Sequence, residues 1–181
     1  MNEVELIRAQ LSLERQHARD VGYALAAASS RPGSEASVAE TFRQASVDYL
    51  VWILSRFEER EQVFHDLARA RFAADDTHRS TVEAALALPG TSREALAKLE
   101  SALGSAATAV GWTAFLDFFA GPWSIRRDEL DKLVARHARI TDWRAVSGID
   151  ADSIFDERKR YSRVRASLPP DVVMPAGATR V

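Results

Sequence analysis

The sequence predicts an all-α protein, an antiparallel up-down-up-down bundle of four long helices with additional short helices. Three observations support this class. Apolar residues recur at the helical period. Helix-start signals alternate with breakers such as Pro89-Gly90 and Gly121-Pro122, and no segment shows the alternating Val, Ile and Thr pattern of a strand. Short connections between long helices favour antiparallel neighbours.

The helix starts are marked by the spacing of capping boxes, in which two side chains three residues apart each bond to the other's backbone N–H. This spacing occurs at Asn2–Glu5, Ser37–Glu40, Ser80–Glu83 and Thr91–Glu94. The predicted helices span residues 3–28, 38–72, 81–88 (short), 92–120, 123–140 and 151–166. We therefore expect a single bundle domain over residues 1–166, followed by an extended, proline-containing tail over 167–181.

Composition excludes several classes of function. The 181 residues are 46% hydrophobic, which is enough for one domain with its own core. A net charge of -2 gives no general attraction to nucleic acid or to an anionic membrane, so we expect neither partner. The absence of cysteine excludes disulfides, thiolate metal sites and cysteine nucleophiles. An acidic N-terminus unlike a signal peptide, and no apolar run of about 20 residues, predict a cytoplasmic protein.

Ionisable side chains interrupt the apolar stripes of the predicted helices. Glu14 lies at the centre of the first stripe, and His17 lies three residues further on, beside it on the helix surface. The second helix carries two glutamates and a histidine on or beside its stripe, and the helix over 123–140 has a histidine on its apolar face. The candidate metal ligands are Glu14, His17, Glu58, Glu61, His65 and His137.

This residue set is typical of a carboxylate–histidine metal centre. A buried carboxylate is usually paired, protonated or bound to a metal. Glu and His three residues apart on bundle helices form carboxylate-bridged di-iron and di-manganese sites, and their donor atoms suit iron and manganese. At about 1.5 Å of rise per residue, Glu14, His17 and His137 reach similar heights in the bundle. One hypothesis is therefore a non-haem iron or manganese site open to O₂ or a peroxide.

The same residues have structural interpretations. A glutamate on an apolar stripe is often paired with an arginine, and Arg15, Arg56, Arg60 and Arg136 are available. His137 fits equally well as a hydrogen-bonded core histidine. Glu58 and His65 fit a solvated, charge-dense surface.

The second helix, SRFEEREQVFH, resembles the second helix of the hemerythrin-like, HHE cation-binding family. That helix carries a His, two Glu four and five residues on, and then an apolar pair; Ser55, Glu59, Arg60, Val63 and Phe64 occupy those places here. LERQHARDVGYAL and LVARHARITDW resemble the first and last helices, with His17 and His137 at ligand positions. The resemblance implies an up-down-up-down bundle with a non-haem di-iron centre, or a member whose metal site is reduced or lost. Ferritin-like di-iron bundles are the neighbouring comparison, matched by the Glu14–His17 spacing.

Two further segments leave functional alternatives open. The basic stretch over 156–165, DERKRYSRVR, is either a nucleic-acid or phosphate contact or a solvated face on which Asp156 and Glu157 supply ion pairs. The aromatic residues near 112–119 pack in the core or line a pocket for a small molecule that the sequence does not identify. The alternative to a metal protein is a non-catalytic helical module that mediates protein association, for example as a homodimer.

Overall fold

The computed structural model describes residues 2–29, 36–71, 144 and 148–174. Within these residues the chain forms three helices, α1 (Glu3–Ser29), α2 (Ala36–Arg71) and α3 (Ala151–Ala166), and no strand. This confirms the all-α class for the described part of the chain. The helices expected over 81–88, 92–120 and 123–140 lie outside the described residues.

The described helix starts show which capping signals operate. At α1, the backbone N–H of Glu5 donates to Asn2 Oδ1 at 2.9 Å and that of Asn2 donates to Glu5 Oε2 at 2.8 Å, so the predicted capping box is confirmed. α2 begins at Ala36, and the prediction of Ser37 as its N-cap is therefore wrong. α3 begins as expected at Ala151, behind a capping box of Asp150 and Ser153.

The contacts between helices give their directions. Tyr49 of α2 bonds to Glu157 within α3, whereas Arg56, later on α2, bonds to Gly148, which precedes α3. Residue numbers therefore rise along α2 while those of its partners fall. α2 and α3 therefore run antiparallel. On α1, Glu3 pairs with Arg144 and His17 pairs with Glu157. The residue numbers of the partners rise along α1, so α1 runs parallel to α3.

The core lies where the apolar stripes of the helices meet. The predicted stripe of α1 is buried from Ile7 through Leu25, with Glu14 fully inside it, and on α2 the stripe is buried from Val47 to Phe57. The segment after α3 adds to this core, because a turn from Pro169 to Val172 brings Val172 against it. Leu168 and Met174 also contact this core, whereas Val173 is 80% exposed.

The approach to α3 is held by one glycine and one arginine. Gly148 has φ +50°, in the left-handed region that favours glycine, and its carbonyl accepts a 3.1 Å hydrogen bond from Arg56 on α2. The Asp150 cap follows two residues later. The Arg56–Gly148 hydrogen bond therefore attaches the start of α3 to α2.

Candidate functional site

A buried ion pair joins the centres of α1 and α2. Arg60 Nη1 donates to Glu14 Oε2 at 2.5 Å, and the two residues are 4% and 0% exposed. Gln10, one turn earlier on α1, donates to the other carboxylate oxygen at 3.4 Å. An isolated carboxylate this deep would be strongly disfavoured, and the guanidinium supplies both the opposite charge and the hydrogen bond that it needs. The interpretation of Glu14 as an arginine-paired core residue is confirmed.

A second buried carboxylate, Glu157, lies where all three described helices meet. Its Oε1 accepts a 2.8 Å hydrogen bond from the Tyr49 hydroxyl of α2 and another, also 2.8 Å, from His17 Nδ1 of α1. Glu157 is fully buried, so the expectation that it would supply ion pairs on a solvated face is wrong. One carboxylate oxygen of α3 therefore holds one side chain from each of the other two helices.

Electrostatics fixes the direction of these bonds. Burial, followed by the negative charge and hydrogen bond of Glu157, raises the pKa of Tyr49 well above its ordinary value. Tyr49 therefore stays a neutral phenol and donates its proton to the carboxylate. An ionised carboxylate only accepts, so His17 carries a proton on Nδ1 and turns Nε2 away from Glu157.

The histidine is held by a ring as well as by a carboxylate. Its imidazole stacks on Tyr161 of α3, with 3.7 Å between ring centroids and 8° between the planes. Asp20, one turn further along α1, is largely buried, and burial raises the pKa of its carboxyl despite the nearby His17 and Arg19. Burial and the charge of Asp20 likewise raise the pKa of Tyr161. The His17 side of the network is therefore packed and acidic.

Glu157 Oε2 differs from Oε1, because it is buried and bonds to no group in the described part of the chain. A carboxylate oxygen has room for two acceptor interactions, and leaving one buried and unbonded is unfavourable. This oxygen therefore has capacity for another donor or a cation.

The structure describes the side chains of only part of the predicted ligand set. Glu14 and His17 are both buried or nearly so, but they face different partners. Glu58, Glu61 and His65 lie within α2, their side chains outside the described residues, and His137 lies outside them entirely. The described residues contain no group of three or more His, Asp or Glu side chains arranged to hold a metal ion.

The donor atoms of the two described candidates can be compared with the needs of a metal. Glu14 faces a guanidinium, which places a positive charge where a metal ion would bring one. His17 fits better. Histidines that bind a metal through one ring nitrogen commonly donate a hydrogen bond from the other ring N–H to a carboxylate, as His17 Nδ1 does to Glu157. Of the described candidates, His17 and the additional residue Glu157 therefore have the better chemistry for a cation.

Sequence reasoning did not name Tyr49 and placed Glu157 on a solvated face. It named Arg60 as one of several available arginines and as the residue at the second-glutamate place of the hemerythrin-like pattern. One signal for Glu157 was present. Tyr161, Val164 and Leu168 follow it at helical spacing, so the inward stripe of α3 passes through the charged run.

Comparisons with protein-family models, with curated proteins and with solved structures find no match for this chain. No helix in the described ranges is long and apolar enough to cross a membrane.

Proposed function

We propose that this chain is a hemerythrin-like helical module with a degenerate metal site, an antiparallel bundle of four long helices that acts by protein association and not by catalysis. The observation that supports this most strongly is the buried Arg60–Glu14 ion pair. Arg60 stands at the position where the hemerythrin-like pattern has its second glutamate. A glutamate there would add negative charge that calls for a metal ion, whereas arginine brings the neutralising charge itself.

Elemental analysis of the purified chain tests the degenerate site. After reconstitution with ferrous iron or with manganese and removal of excess metal, we expect no stoichiometric metal. The matched variant is Arg60→Glu, which restores the family's residue and frees Glu14 from its cation. Metal bound at a fixed ratio by the unaltered chain, and lost in Glu14→Gln, would contradict the proposal.

Exposed apolar side chains support association. Phe155 on α3 is 65% exposed and Leu6 on α1 is 50% exposed, although both are large apolar residues. We expect a concentration-dependent dimer in sedimentation equilibrium, weakened by Phe155→Ser and unaffected by Glu59→Gln, an exposed polar change on α2. A strictly monomeric chain that recovers no partner would argue against association.

A second candidate keeps the metal, and the hydrogen bond from His17 Nδ1 to the buried Glu157 carboxylate favours it. In this alternative His17 would be a ligand through Nε2, and Glu157 would hold the ring in place through Nδ1–H. Further ligands would come from Glu58, Glu61, His65 and His137; Glu14 would join only if Arg60 withdrew. Iron or manganese would supply a site for O₂ or a peroxide. The same elemental analysis separates the two candidates, because His17→Ala and Glu157→Gln would then lower the metal content.

A further inference from the structure

A groove beside the buried network lies between α2 and α3. Its volume is about 470 Å³, within the range of roughly 300–1,000 Å³ typical of small-molecule sites. Glu40 and Asp48 border it from α2, and Arg160 and Arg163 border it from α3. Tyr49 also lines it, and the same residue's hydroxyl is bonded to Glu157.

Opposite charges border this groove without pairing across it. Glu40 is held by Arg43 of its own helix at 2.6 Å, and Asp48 accepts a 2.8 Å hydrogen bond from the Gln44 amide. No ion pair within the described residues joins either carboxylate to the arginines of α3. The groove therefore lies between an acidic border on α2 and a basic border on α3.

The two arginines are arranged to receive an anion. Arg160 and Arg163 are three residues apart on α3, and so lie on the same face of that helix. The Arg160 guanidinium carbon is 4.9 Å from the centroid of the Trp52 ring, which orients the group and leaves its N–H edge available. Guanidinium groups bind carboxylates through paired, planar hydrogen bonds, and two of them can bind a dicarboxylate or clamp one carboxylate.

We propose that this groove binds a small amino acid zwitterion, with carboxylate on Arg160 and Arg163 and the ammonium group on Asp48. The groove selects this class because charges of both signs, uncompensated within the described residues, border it: Asp48 on α2 and Arg160 and Arg163 on α3. Arg43 already pairs with Glu40, so a simple anion would leave Asp48 uncompensated, and a simple amine would leave both arginines uncompensated. Only a ligand carrying both charges compensates both walls.

Isothermal titration calorimetry with three probes tests the proposal. Glutamate carries both kinds of charge, glutarate is the same skeleton without the ammonium group, and butylamine lacks the carboxylates. We expect glutamate to bind more tightly than either of the others. Arg163→Gln and Asp48→Asn should each weaken glutamate binding about ten- to a hundredfold, because each removes a charged hydrogen-bond partner. Arg158→Gln, an exposed change on α3 outside the groove, is the matched control and should bind like the unaltered chain.

Three results would overturn the proposal. The first is no heat of binding for glutamate at millimolar concentration. The second is glutarate binding as tightly as glutamate, which would make the groove an anion site. The third is glutamate binding that Arg163→Gln and Asp48→Asn leave unchanged while circular dichroism shows both variants folded. None of these outcomes depends on whether the bundle binds a metal.

Discussion

Replacing Arg60 by methionine isolates the contribution of the buried ion pair. Methionine keeps an unbranched apolar side chain in the space and removes the guanidinium, so Glu14 loses the group that donates to it at 2.5 Å. Glu14 is 0% exposed, so solvent does not replace the lost partner. Removing one partner of a buried pair destabilises a protein by about 3–5 kcal/mol. This corresponds to a fall of roughly two to three and a half powers of ten in the ratio of folded to unfolded chain.

Urea unfolding followed by far-UV circular dichroism measures this change. With a slope of about 2 kcal/mol per molar urea, the midpoint should fall by about 1.5–2.5 M. The control is the double variant Arg60→Met, Glu14→Met. Replacing a whole buried pair by apolar groups is often neutral or stabilising, so most of the lost stability should return. A loss below about 1 kcal/mol in the single variant, with the double variant no more stable, would refute the assignment of a buried, mutually dependent pair.

Three further predictions concern groups outside this pair. Asp150→Ala should lower the urea midpoint because it removes the α3 cap. Asp150→Asn should keep the cap, but the stabilisation that the cap provides should no longer depend on pH. The Ser153 hydrogen bonds hold the pKa of Asp150 below its ordinary value, so its stabilisation is present above the unfolded pKa and lost as pH falls through the folded one. Equal pH profiles for the Asn variant and the unaltered chain would contradict this. Burial raises the pKa of Asp20, so its penalty grows as pH rises through that folded pKa, and Asp20→Asn should raise the melting temperature at neutral pH more than in acid. The exposed control Asp156→Asn should show little such difference, and a neutral-pH loss in Asp20→Asn would refute the sign. Tyr49→Phe should lower the free energy of unfolding by about 1.5–3 kcal/mol, since it removes a donor to a buried carboxylate, and an unchanged urea midpoint would contradict it.

The helices of the described part could be predicted because their signals are local. α3 spans Ala151–Ala166, as its apolar spacing predicts, and α1 differs from the expected 3–28 only at its last residue. The stripe of α1 also identified Glu14 as buried. Each of these inferences depends on residues within a few turns of one another, and periodicity along one helix carries that information.

The partners of the buried carboxylates could not be predicted in the same way. Tyr49 and Glu157 are 108 positions apart, and nothing in either local pattern indicates that they meet. Arg60 lies in a charge-dense run that, alone, favours a solvated surface. A buried charge is unfavourable by itself and acceptable in a pair, so its burial can be inferred only after the helices are packed together.

The Glu157 network also determines where the groove lies. If α3 slid along α2 by one turn, about 5.4 Å, Ser153 or Tyr161 would replace Glu157 opposite Tyr49 and His17. The carboxylate would then be buried without either donor, so a single register of α3 is strongly favoured. That register brings Arg160 and Arg163 opposite Asp48.

Glu157→Leu therefore provides a test at a residue that does not border the groove. It leaves the Tyr49 hydroxyl and His17 Nδ1 without their buried acceptor. Each unpaired group lowers the free energy of unfolding by about 1–3 kcal/mol, so the urea midpoint should fall. Because the register is then no longer enforced, glutamate binding should weaken although every charged group bordering the groove remains. If the midpoint falls and the calorimetric affinity for glutamate does not change, the Asp150 cap and the Arg56–Gly148 hydrogen bond are sufficient to set the register, and the coupling between network and groove is refuted.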